Sequence, residues 1–225
     1  MARKIVFILS SQADLGSPGT VTGSWLEEIA AAYYVLIDAG HQVVFASVKG
    51  GVAPVDPVSL NEPWLTPAGK RFLADDAAQQ ALRTTEPLNR VSLASIDAVY
   101  FVGGAGTVWD FPTDAGVARI LEAMERDKKL VGAVCHGVCA LLNGPAGKPY
   151  AAGRTITSFS DQEDIMSGLD KVLPFLTEGR LREKGVDVKV GEPFAPHVVK
   201  ERNLVTGQNP ASAEGVARAM LEQLR

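Results

Sequence analysis

Few side chains can attack a carbonyl carbon or move a proton near neutral pH, and this 225-residue sequence places two of them side by side, Cys135 and His136. They lie in the stretch KLVGAVCHGVCALLN at 129–143, where an apolar strand runs straight into the cysteine and then into a helix-forming segment. Ala133-Val134-Cys135-His136-Gly137 follows the small-x-nucleophile-x-Gly rule of a nucleophile elbow. In such an elbow a sharp strand-to-helix turn holds the nucleophile in strained backbone above the sheet. A thiol there meets the positive end of the helix and its unpaired N–H groups, and both lower a thiol pKa. A small buried cysteine ending a strand is the plain alternative, but a polar histidine directly behind it is an odd way to close an apolar strand.

The other candidates are weighed against that pair. Cys139, among Val138, Ala140, Leu141 and Leu142, reads as core filling. Adjacent helical turns seldom meet disulfide geometry, so no bond to Cys135 is expected. His41 reads as an edge residue and His197 as a structural one, which leaves His136 as the acid/base candidate. An imidazole in that role needs an orienting acid, and Asp161-Gln162-Glu163-Asp164 offers either Glu163 or Asp164, with Ser160 or Asp161 capping the helix that carries them. Ser24 and Glu27 have the spacing of a capping box, which gives Glu27 a structural task and leaves Glu28 without one. Glu28 opens the apolar helix IAAAYYVLI, where desolvation raises a carboxyl pKa and makes a protonated donor to a nearby thiolate. The glycine-rich turn at 102–107, with Gly104 and Ala105, presents backbone amides to an oxyanion. It lacks the spacing of a dinucleotide or P-loop phosphate site.

Strands positioning these residues are expected at 4–9, 42–48, 98–102, 130–134, 155–159 and 186–190, with a hairpin over 197–206 turning at 201–203. Helices are expected at 24–39, 112–126, 136–142, 171–183 and 211–224. The alternation describes one α/β domain over 1–225, a doubly wound, mostly parallel sheet with helices on both faces. Residues 50–89 interrupt it with Gly, Pro and Asp, and read as an inserted cap segment.

The composition narrows the class. Hydrophobic residues at 46% and charged residues at 21% describe an ordinary globular chain. A net charge of −4 gives no footprint for phosphate backbones or anionic lipid, so neither nucleic acid nor a membrane is an expected partner. No apolar run reaches the length of a membrane span, and the first dozen residues read as a strand rather than a signal peptide. Two closely spaced cysteines fit neither a disulfide framework nor a zinc pattern, so a reducing, cytoplasmic setting without a bound metal is expected.

The assembled pieces resemble the PfpI-like superfamily, related in fold to the class I glutamine amidotransferases. Within it they are similar to the branch of heat-shock protein 31 and the glutathione-independent glyoxalase III enzymes. The resemblance rests on six blocks in order: TGSWLEE at 22–28, GGVAPVDPVS at 50–59, GGAGTVWDFP at 103–112, AVCHG at 133–137, TSFSDQED at 157–164 and VTGQNPAS at 205–212. It implies a flavodoxin-like α/β fold and carries over Glu28, Cys135, His136 and Asp164 as catalytic residues. Gly104, Ala105 and His136 carry over as the oxyanion and substrate contacts. Two departures stand out: Ala105 replaces the histidine of a GGHG block, and Asp164 is shorter than glutamate in its reach to His136. His197 is followed by Val198-Val199 rather than by the His-x-Glu of the amidotransferases, so glutaminase activity is not expected.

The resemblance implies a cofactor-independent glyoxalase of the D-lactate dehydratase type, a hydro-lyase that converts small 2-oxoaldehydes such as methylglyoxal, and a homodimer. The alternatives are a stress chaperone or redox sensor using an oxidisable Cys135, or another chemistry of the superfamily: isonitrile hydration, deglycation or peptide hydrolysis.

Overall fold

A computed structural model describes residues 2–17 and 19–224. In chain order the elements are β1 (Lys4–Leu9), α1 (Leu26–Asp38), β2 (Gln42–Ser47), α2 (Pro67–Leu73), α3 (Asp76–Arg83), β3 (Glu86–Pro87), β4 (Ala98–Phe101), α4 (Thr107–Asp110), α5 (Ala115–Arg126) and β5 (Leu130–Val134). They continue with β6 (Thr155–Ile156), α6 (Asp161–Met166), α7 (Thr177–Glu183), β7 (Asp187–Val188), β8 (Val198–Glu201), β9 (Leu204–Gly207) and α8 (Ala213–Gln223). Seven strands form one sheet in the order β3-β2-β1-β4-β5-β9-β8. Every neighbouring pair is parallel except the β8–β9 hairpin. The fold is therefore α/β with a mixed, mostly parallel sheet, as the alternation predicts. No helix of the described residues is long and apolar enough to cross a membrane.

The central strands are apolar along their length because both faces are covered. Alternate residues divide between the faces: Ile5, Phe7 and Leu9 of β1 pack with α1 and α8, while Val6 and Ile8 pack with α5. In register with Phe7 stand Phe45 of β2 and Tyr100 of β4, whose rings lie 5.8 and 4.7 Å from it. Tyr100 Oη donates to the Glu28 carbonyl at 3.1 Å, which ties the middle of the sheet to the first turn of α1.

Several elements differ from the sequence expectations, each for a local reason. The strand expected over 155–159 pairs only through β6, in a separate two-stranded sheet with β7. Beyond Ile156 the backbone turns toward the elbow: Thr157 N donates to Thr206 Oγ1 and Phe159 N to the Cys135 carbonyl. The segment expected as a helix at 136–142 is a run of 3₁₀ turns over Cys135–Leu142, with Cys139 buried and its thiol donating to the Thr107 carbonyl. Both cysteines are free. Helix α5 starts late because Asp114 caps it through Val117 N, and Pro174 keeps α7 from starting at 171.

The capping box of Ser24 and Glu27 does not form. Ser24 is held in extended pairing with Val55, and its N–H donates to the Pro54 carbonyl. The first N–H of α1 donates instead to Ser59 Oγ at 3.1 Å, and Glu27 accepts from Thr66 Oγ1 at the start of α2. Residues 50–89 thus close over the N-terminus of α1 and end as the edge strand β3.

Replacing Phe7 with Ala empties a fully buried site between two aromatic rings. It is expected to cost about 3–5 kcal/mol, measured by urea denaturation, and a cost below about 1 kcal/mol would contradict this packing.

Candidate active site

Strand β5 is buried at every residue and delivers Cys135 directly from its end. Cys135 has φ 57°, left-handed backbone that a side chain enters only at a cost. This is the strained elbow the sequence predicts. Gly137 permits it, because a Cβ there would stand 2.7 Å from the Phe101 and Val102 carbonyl oxygens.

Three polar groups meet at the elbow. His136 Nδ1 lies 3.5 Å from Cys135 Sγ. Its Nε2 lies 2.8 Å from Asp164 Oδ1, and both partners are essentially buried. Pairing with the carboxylate keeps the proton on Nε2 and leaves Nδ1 as the acceptor facing the thiol. On the other side, Glu28 Oε2 accepts from Gly103 N at 2.7 Å, Oε1 has no hydrogen-bond partner among the described residues, and the carboxyl and the Cys135 thiol influence each other's ionisation. Glu28 is wholly buried, beyond the partial desolvation that the apolar helix predicts, and desolvation pushes its pKa from 4.5 up to about 8. It therefore holds its proton at neutral pH.

The thiol departs from expectation. The His136 amide does face the sulfur and lowers its pKa, but burial and then the Glu28 carboxyl push Cys135 well above the usual thiol range. Helix-end polarity loses to desolvation because the sulfur sits inside, with 3% of its residue surface exposed.

Of the two acids that the sequence leaves open, Asp164 reaches His136. Glu163 does something else. It closes a capping box with Ser160 and accepts from Ser160 N and Oγ, Phe194 N, Gln208 Nε2 and Asn209 Nδ2. Five donors on one fully buried carboxylate join three separate segments beside the elbow. The TSFSDQED and VTGQNPAS blocks contain these partners, but nothing in their spacing assigns the bonds.

A cavity of about 600 Å³ opens over Cys135 and His136. Gly104 and Ala105 line it, and their amides have no acceptor among the described residues. The sequence reading misses most of the wall, which includes Trp25, Asp56, Trp64, Phe159, Phe194 and Asn209. Of the other histidines, His41 accepts from Arg3 N, and His197 N donates to Ser212 Oγ. No group of three or more His, Cys, Asp and Glu among the described residues is arranged to hold a metal ion.

Residues 22–223 match the model of the DJ-1/PfpI family. The chain is 25% identical to the glutathione-independent glyoxalase HSP31 of Saccharomyces cerevisiae, over 99% of this chain and 98% of that one. Among solved structures, the Rapid Encystment Protein 24 KDa of Francisella tularensis superposes with a TM-score of 0.94 at 31% identity, with 99% of each chain covered. Glyoxalase III of Candida albicans superposes with a TM-score of 0.88 at 26% identity, over 98% of this chain and 96% of that one.

Two outcomes follow from the buried carboxyl. In Glu28→Gln the negative charge is gone while an amide donor remains, so the pH midpoint of Cys135 alkylation by iodoacetamide should move down; an unchanged or higher midpoint contradicts the contact. The folded-state pKa of Glu28 lies above its unfolded value, so its contribution is complete below about pH 4.5 and is lost as pH rises toward about 8. The melting temperature should fall over that window in the wild type and fall less in Glu28→Gln.

Proposed function

The chain belongs to the DJ-1/PfpI family, and from that premise we propose that it is a glyoxalase needing neither glutathione nor another cofactor, converting 2-oxoaldehydes such as methylglyoxal to 2-hydroxy acids. The observation that carries this reading is the placement of one thiol between a protonated carboxyl and an imidazole already oriented by a second acid. The names of the full-length yeast relatives support it.

In the proposed reaction His136 Nδ1 takes the proton of Cys135 as the sulfur adds to the aldehyde carbon. The proton passes to the aldehyde oxygen, giving a hemithioacetal held by the free amides of Gly104 and Ala105. The hydrogen on the former aldehyde carbon then leaves as a proton and returns to the neighbouring ketone carbon through an enediol, relayed by Glu28 and His136. One carbon is oxidised to a thioester and its neighbour reduced to an alcohol, so no external oxidant is needed. Water cleaves the carbon–sulfur bond and restores the thiol. Asp164 stabilises the imidazolium formed when His136 carries a proton. An oxidation switch is less well supported, because it calls for an exposed thiolate, whereas Cys135 is buried and its pKa is raised.

Protein supplied with methylglyoxal and no glutathione should form lactate. Cys135→Ala should reduce kcat by about 10³-fold or more, and Asp164→Asn by about 10²- to 10⁴-fold. Lactate formation is the readout rather than aldehyde loss, since surface amines and guanidines also consume the substrate. Absence of lactate with Cys135 shown to be reduced overturns the proposal.

A further inference from the structure

The cavity over Cys135 is far larger than methylglyoxal, and its walls have a definite chemistry. Two aromatic pairs from separate parts of the chain line it. Trp25 and Trp64 meet edge to face with centroids 5.7 Å apart, and Phe159 and Phe194 do so at 6.3 Å. Phe159 also lies 4.4 Å from the His136 ring, so an aromatic surface runs from the imidazole to the rim. Among the described residues none that lines the cavity is Lys or Arg. The one acidic side chain among the described lining residues, Asp56, is 8% exposed and accepts from Thr22 Oγ1 and Val58 N.

The wall is also held in place. The buried Glu163 carboxylate fixes Phe194 through its N–H at 2.7 Å and Asn209 through its side-chain amide at 2.9 Å. Phe194 has φ 58°, a backbone state that side chains avoid unless something holds it. Ala105 adds only a methyl to the wall, where a larger side chain would fill space.

We infer that the site takes 2-oxoaldehydes bearing a neutral aryl group in preference to methylglyoxal. This inference rests on the glyoxalase reading. An aromatic ring gains apolar contact and edge-to-face partners on these walls, whereas a methyl group leaves most of the cavity to water. A charged substituent finds no counter-ion there and loses its hydration. The bonds made and broken are those of the proposed reaction: an arylglyoxal and water give an aryl 2-hydroxy acid, with the ketone carbon reduced and the aldehyde carbon oxidised.

The test has a kinetic arm and a binding arm. In the first, 2-hydroxy acid formation from methylglyoxal, phenylglyoxal and 4-carboxyphenylglyoxal is measured, with the Cys135→Ala rate subtracted to remove arginine modification. The value of kcat/KM for phenylglyoxal should exceed that for methylglyoxal about tenfold or more, and the carboxylate should cancel the advantage. Trp64→Ala should lower the phenyl-to-methyl ratio, which separates wall contacts from the intrinsic reactivity of the aldehyde. In the second arm, 2-hydroxyacetophenone and hydroxyacetone, which cannot complete the reaction, are titrated by tryptophan fluorescence. The aryl ketone should bind about tenfold tighter or better. Equal or better use of methylglyoxal, with equal binding of the two ketones, overturns the aryl preference and leaves the glyoxalase reading standing. No turnover of any aldehyde with tight aryl binding overturns the glyoxalase reading and keeps the aryl site. No turnover and no binding preference overturn both.

Discussion

One residue held in left-handed backbone sets the geometry on which the site depends. Cys135 occupies that state because β5 ends there and the chain must reverse at once against the carbonyls of Phe101 and Val102. A relaxed residue at 135 would carry the sulfur away from Glu28 and would move His136, which follows it in the chain, out of line with Asp164. A conformation of this kind costs about 1–3 kcal/mol. The strain is retained because the strand behind it is buried on both faces and the turn after it is wedged among other elements, so relaxing the turn would open the core.

The same region buries three carboxyl groups, and each is accommodated differently. Glu28 accepts from one backbone N–H and leaves Oε1 without a partner among the described residues, too little to hold a charge, so it keeps its proton to about pH 8. Glu163 is surrounded by five donors, enough to replace the water a carboxylate loses. Asp164 faces a single imidazole nitrogen. The kind of partner therefore separates a proton donor, a structural clamp and an orienting group among chemically similar side chains: one backbone amide, a ring of five donors, and an imidazole. The clamp and the orienting acid are adjacent in sequence, so the helix turn that aims Asp164 at His136 also secures the cavity wall.

Access to the thiol depends on segments distant from the elbow in sequence. The stretch through 50–66 supplies Asp56, Val58 and Trp64, satisfies the first N–H of α1 through Ser59, and engages Glu27 through Thr66. The loop after β7 supplies Phe194. Membership of a family sets the sheet and the elbow, but the size and polarity of the space above the thiol come from these segments, and that space decides which molecule fits.

Much of this arrangement is legible along the chain. Apolar alternation marks the central strands, because a parallel sheet covered on both faces demands continuous apolar runs. The elbow is written in five adjacent residues, and burial of Glu28 follows from the apolar helix around it; both are properties of near neighbours. Legibility ends where the partner of a group is far away in sequence. Ser24 and Glu27 have the spacing of a capping box, yet Val55, Pro54 and Thr66 engage them from another segment, and such pairings leave no periodic mark. The position of Cys135 at a helix start points to a lowered pKa, whereas burial, with Glu28 of α1 and Glu163 of α6, drives it upward. The choice of Asp164 over Glu163 and the aromatic walls belong with these: helix periodicity brings both acids to the elbow, but their partners at 136, 194, 208 and 209 come together only when the sheet is assembled.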